Sequence, residues 1–268
     1  MSIDLAVGWT YVHEFFGTVV YLSHLLFVRF FSAIQLAYRY LNQTAKIPPG
    51  YGRVCNILFK RKRVLHEMAW NSDFVTVHAS FEPLDSLLNG YWSLYCLDKT
   101  HAILVKLPKP VVEYQSKDYP FMFAPLFRET IRVAYVTIDD FVAYCAKLNN
   151  KPQPRTVFFT NTPRCGSTIL VQMLCHKNVS VCYGEPPCLM NLSLGMDNGY
   201  YTQGYIEQVL PAAITYLRKD VPADQLCVLN TSSSGARLVP FAGNLVNLQY
   251  IFMFRKNGLA SVDRMLKV

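Results

Sequence analysis

A chain of 268 residues that is 51% apolar and 14% aromatic can bury a sizeable core, which excludes wholesale disorder. The formal charge of +8 excludes an acidic surface, and the basic excess is denser in residues 151–268, where it favours an anionic ligand. Eight cysteines occur without a Cys-x-x-Cys pair, so a zinc site from Cys165, Cys175, Cys182 and Cys188 has the wrong spacing. Several cysteines read as buried thiols, and disulfides stay open for a lumenal chain.

In chain order, residues 5–41 are strongly apolar. Residues 15–37 are long enough to span a bilayer, although Arg29 and His24 interrupt them. A cleaved signal peptide is not expected, because a basic leader and a small-residue cleavage site are missing. Positive charge gathers after the segment, at Arg39, Lys46, Arg53 and Lys60 to Arg63, which by the positive-inside rule keeps the following domain cytoplasmic. Three readings stay open: a membrane anchor, an interfacial helix, and a hydrophobic helix docked on the body. Pro48-Pro49-Gly50-Tyr51-Gly52 marks a boundary. The run Lys60-Arg61-Lys62-Arg63 reads as a solvated face, with a nucleic-acid patch or a membrane-surface contact as alternatives.

Short apolar runs at 74–77, 86–88 and 102–107 predict mixed strands and helices with no chemical signature. Ile138 to Leu148 predicts a helix with Asp139 and Asp140 in its first turn. Residues 149–154 form a linker. Beyond it the pattern predicts a strand at 157–160, a loop at 162–168 and a helix at 167–176. Then come a strand at 179–183, a helix at about 203–219, strands at 226–230 and 248–254, and a helix at 258–267. Apolar strands alternating with helices argue a parallel sheet. The chain thus divides into a hydrophobic segment (1–47), an α+β lead-in (48–150) and an α/β domain (151–268). Sequons at Asn42, Asn178, Asn191 and Asn230 permit a secretory route without requiring one.

The chemistry concentrates in Thr162-Pro163-Arg164-Cys165-Gly166-Ser167-Thr168. Between a strand and a helix, such a loop aims backbone N–H groups and the positive helix end at one point, where a phosphate or sulfate is favoured. Arg164 adds a planar cationic fork, Gly166 permits close approach, and Ser167 and Thr168 supply hydroxyls. The loop has no lysine and is not a Walker A motif.

Pro163-Arg164-Cys165-Gly166-Ser167-Thr168 resembles the 5′-phosphosulfate loop of sulfotransferases, which use 3′-phosphoadenosine 5′-phosphosulfate (PAPS) as donor. Several Golgi carbohydrate sulfotransferases likewise place Arg at the position of Arg164. The strand ending in Glu185-Pro186 resembles a second signature of that family. The strand Tyr250 to Phe254 running into Arg255, with Ser261 beyond, resembles its 3′-phosphate element. Ser261 comes two residues earlier than in the family, and Asp263 holds the usual serine position.

The resemblance covers about residues 115–268. It implies a P-loop-like three-layer α/β fold and sulfate transfer from PAPS to a hydroxyl or amine acceptor, a small molecule or glycan, with no metal and no nucleic acid. It implies a donor site from Pro163 to Thr168 with Arg255 and Ser261. Family members normally carry further helices and a Gly-rich loop after this element, so the chain is expected to be incomplete at its C-terminus.

Arg164 is the expected electrostatic catalyst. Glu185, 21 residues on, is the expected base, with a structural acid pairing to Arg164 or capping the next helix as its alternative. His176, about 13 Å along the loop helix, is expected to be a helix-end cation. The polar loop Asn230 to Gly235 lies on the same sheet edge, where an acceptor would be met. By resemblance the location is the Golgi or another endomembrane, with the cytoplasm as alternative. A catalytically impaired relative acting as a nucleotide-binding or membrane-linked module, and a P-loop kinase or NTPase, are the other readings. Oligomeric state is not legible.

Overall fold

The computed structural model describes residues 2–41, 46–62, 64–66, 68–243 and 245–258, with side chains from residue 11 onward except those of 39 and 41. The predicted helix 258–267, Ser261 and Asp263 lie outside these residues beyond Gly258.

A 40-residue helix, α1 (Ser2–Leu41), opens the chain. Five strands follow as an antiparallel sheet: β1 (Tyr51–Lys60), β2 (Phe74–Pro83), β3 (Trp92–Leu97), β4 (His101–Lys106) and β5 (Arg132–Thr137). Their spatial order is β2-β1-β5-β4-β3. Inside this stretch lies a short helix, α2 (Phe123–Arg128).

Helix α3 (Ile138–Asn149) begins where Thr137 Oγ1 accepts the Asp140 N–H at 3.3 Å and donates to the Asp140 carboxylate at 2.9 Å. It leads into the second half: β6 (Arg155–Asn161), α4 (Ser167–Leu174), β7 (Ser180–Gly184), α5 (Pro187–Asp197), α6 (Gln203–Leu217), β8 (Leu226–Asn230) and β9 (Leu248–Met253). The four strands form the expected parallel sheet, in the order β7-β8-β6-β9. The chain is therefore a mixed α/β protein with a parallel four-stranded sheet and an apolar N-terminal helix.

One hydrophobic core runs through both sheets, from Val54 to Ala242. Edge strand β3 is buried at every position because α5 and α6 pack on it. Helix α5 is buried nearly all round, and its Asn191 side chain joins the halves. Asn191 accepts from Leu97 N–H (3.0 Å) and donates to the Ala69 carbonyl (3.1 Å). Asn191 and Asn230 are fully buried, so these two sequons offer no glycan site on the folded protein, whereas Asn178 is exposed.

The basic run after β1 departs from a solvated face. Lys60 donates to the Arg128 and Thr130 carbonyls, and Lys62 is buried in an ion pair with Asp73 at 2.8 Å. Arg63 lies outside the described residues. Positive charge at 60 and 62 thus fastens the sheet's rim instead of facing solvent.

Segment 115–122 covers the free edge of β7. Ser116 N–H donates to the Cys182 carbonyl (2.7 Å) and Met122 N–H to the Gly184 carbonyl (2.6 Å). Gly184 makes this approach feasible: a Cβ there would lie 2.0 Å from the Pro120 carbonyl oxygen.

Candidate functional site

Because all four strands of the second sheet run parallel, their carboxyl ends fall on one side, at Asn161, Gly184, Asn230 and Met253. Open α/β sheets take ligands there. The residues just beyond these ends, Arg164, Glu185, Ser232, Ser233 and Arg255, line one hollow of about 920 Å³.

The loop after β6 is anchored before it turns. Buried Asn161 donates from Nδ2 to the Thr231 carbonyl (2.8 Å) and to Asn230 Oδ1 (3.3 Å), which ties β6 to β8. Thr162 N–H donates to the Met253 carbonyl at 2.9 Å, which ties the loop to β9. The chain then takes left-handed backbone at Arg164 (φ 59°) and at Gly166 (φ 98°). Gly166 caps α4 without a side chain, and the first helical bond runs from Leu170 N–H to the Gly166 carbonyl (3.2 Å). The earlier N–H groups of the helix are therefore free of helical acceptors.

Pro163, Arg164, Gly166, Ser167 and Thr168 all line the hollow. Cys165, expected with them, differs: its side chain is buried and does not line the hollow. Arg164 is exposed at the hollow. Arg255 is half-buried and donates from Nε to the Arg164 carbonyl at 2.7 Å, so one arginine pins the backbone that carries the other. Among the described residues neither guanidinium has a carboxylate partner. Two unneutralised cations beside free N–H groups suit a ligand with more than one negative charge.

Glu185 sits at the end of β7, its N–H donating to the Asn230 carbonyl at 2.7 Å. Its backbone is also left-handed (φ 48°). Of the four non-glycine residues with positive φ, two are asparagines, which tolerate that region. The other two, Arg164 and Glu185, line the hollow. Strain of this kind persists where surrounding structure enforces it, and it clusters at working sites. Burial pushes the Glu185 carboxyl above its ordinary value. Among the described residues it makes no ion pair with Arg164, and Pro186, not Glu185, stands at the N-cap of α5.

His176 is exposed beyond the end of α4, away from the hollow. Other lining residues carry no sequence signal. Phe121 and Phe123 stack with ring centroids 5.5 Å apart and form an aromatic wall. Met190 of α5 and His66 complete it. The Pro120-Phe-Met-Phe spelling hints at an irregular apolar segment, but only pairing with β7 brings it to the strand ends. Among the described residues no three His, Cys, Asp or Glu side chains gather closely enough to hold a metal ion. All eight cysteines are free thiols.

No family model, no curated protein and no solved structure matches the chain, so its own geometry carries the functional reading.

Proposed function

We propose that residues 151–268 form a P-loop-like sulfotransferase domain that takes PAPS as donor and passes sulfate to a hydroxyl or amine acceptor, carbohydrate foremost. The observation that carries this reading is the convergence of Arg164, Glu185 and Arg255 from three strand ends on one hollow. Arg164 and the N–H groups of the first turn of α4 hold negative oxygens of the donor's phosphosulfate end, with Ser167 and Thr168 beside them. As the acceptor oxygen or nitrogen bonds to sulfur, the bond from sulfur to the donor's phosphate oxygen breaks. The acceptor's proton goes to the Glu185 carboxylate, whose raised proton affinity suits a base. The aromatic wall of Phe121 and Phe123 shields the site from water on one side.

The test is thermal unfolding with the bisphosphate product PAP. Millimolar PAP raises Tm of the wild-type chain by several degrees, and Arg164→Ala removes the shift. No shift with the wild-type chain ends the reading. A shift without transfer of labelled sulfate to any of a panel of sugars, phenols and amines moves the assignment to a nucleotide-binding relative. ATP hydrolysis lost in Arg164→Ala moves it to an NTPase.

A further inference from the structure

The outward face of α1 is the opposite of what water selects. Helix α1 runs about 60 Å at 1.5 Å per residue, and an 18-residue window within residues 11–38 has a mean hydropathy of 1.6 with none of that window buried. Its two sides differ. Tyr21, His24, Val28, Phe31 and Gln35 recur every three or four residues and are half-buried against the antiparallel sheet. His24 Nε2 lies 3.4 Å from the Ser72 carbonyl, its ring is 6.0 Å from Phe59, and Gln35 donates to the Thr76 carbonyl. The opposite side carries Phe15, Val19, Leu22, Leu26, Phe30 and Ile34, each 42–68% exposed. Arg29, three residues after Leu26 and seven after Leu22, is the one charged group among the described residues of this side. The Ser23 hydroxyl beside the stripe is already satisfied by the Val19 carbonyl at 2.8 Å. A surface helix in water shows the reverse arrangement, and an apolar strip this long marks an interaction surface.

We infer that α1 docks on a lipid surface lying flat, in the plane of the bilayer, with the Phe15–Ile34 stripe among the acyl chains and the Tyr21–Gln35 stripe on the protein body. A bilayer-crossing orientation conflicts with the body contacts. They extend from His24 to Gln35, about 17 Å at 1.5 Å per residue and more than half of the ~30 Å of a hydrocarbon core. Crossing would therefore draw β2, an edge strand with His78 and Glu82, into lipid with its open backbone edge unsatisfied. Lying flat removes that conflict. In that orientation exposed Arg29, on the same side as Leu22 and Leu26, carries its charge to headgroup phosphate along its long stem. Phe59, 53% exposed beside His24, continues the apolar surface from α1 onto β1. The +8 charge of the chain favours an anionic bilayer over a neutral one.

The experiment uses the full chain with an epitope at its N-terminus. It is floated with phosphatidylcholine vesicles containing about a third phosphatidylserine. The wild-type chain floats with them, and the double variant Leu26→Asp/Phe30→Asp loses at least about tenfold in partitioning while keeping its Tm. If that variant does not fold, the wild-type topology decides alone. In sealed microsomes, protease reaches the N-terminal epitope and the body from the same side. An epitope protected while the body is digested shows a crossing helix and overturns the inference. So does an epitope removed during expression, and so does a chain that stays off vesicles. A dimer in vesicle-free buffer that Leu26→Asp dissociates assigns the stripe to a second copy and overturns it as well.

Discussion

The two sheets each hold a carboxyl group away from bulk water, buried at Asp73 and half-buried at Glu185, and they treat it differently. In the antiparallel sheet, Asp73 accepts from Lys62 at 2.8 Å, Tyr95 at 2.6 Å and the Trp70 N–H at 3.0 Å. At the carboxyl end of the parallel sheet, Glu185 has no ion-pair partner among the described residues. Burial raises the proton affinity of both. Only Asp73 has Lys62 and hydrogen bonds pulling it back down. The same local cost thus has two settings: at Asp73 a cation and hydrogen bonds offset it, while at Glu185, which lines the hollow with Arg164 and Arg255, no ion pair among the described residues does.

The contrast can be broken at either sheet. The largest effect is expected from Asp73→Ala, which leaves Lys62 buried and alone. We expect a loss of about 3–5 kcal/mol in denaturant unfolding, with PAP binding per folded molecule unchanged. Weaker binding in that variant would mean that the sheets are not functionally separate. Next is Gly184→Ala, whose methyl meets the Pro120 carbonyl. It should cost about 1–3 kcal/mol and also weaken ligand binding, because segment 115–122 carries Phe121 to the hollow. Gly166→Ala, at φ 98° and with Met253 Cε in ordinary contact at 4.0 Å, should cost about 1 kcal/mol through backbone strain.

Glu185→Gln gives the smallest stability change and the sharpest sign. Its folded carboxyl titrates above the ordinary 4.5. Its favourable contribution is therefore complete below the ordinary value and is lost as pH rises through the raised one. The Gln variant should match wild type in acid and exceed its Tm at neutral pH, while transfer activity disappears and the PAP shift stays. A Tm lowered at neutral pH would show that the carboxylate has a structural partner.

Legibility in the sequence followed locality. Strands β6, β8 and β9 and helices α3 and α6 were readable to within a few residues, because their apolar runs and periods reflect one buried face or two. Helix α5 was not: buried nearly all round, with Asn191 and Ser193 satisfied inside, it shows no 3.6-residue stripe. The basic run at 60–63 misled for a related reason, since a lysine's destination depends on whether a carboxylate or carbonyl lies in reach, and Asp73 arrives from the turn before β2. In the site, Pro163 to Thr168 was legible because strand, turn and helix start are contiguous. Cys165 faces inward, while Arg164 and Gly166 on either side of it line the hollow. His66, Phe121, Phe123 and Met190 were invisible, being distant in sequence and of ordinary type.

The sequence by itself determined the strand, loop and helix start around Pro163 to Thr168, the alternation that demands a parallel sheet, and a long apolar N-terminal helix. Tertiary structure alone decided which side of that helix faces the body, that Glu185 makes no ion pair among the described residues, and that four strand ends share one hollow. The physical reason is range. Hydrophobic periodicity and turn chemistry act between neighbours in the chain, whereas burial and the pairing of charge depend on groups that meet only after folding.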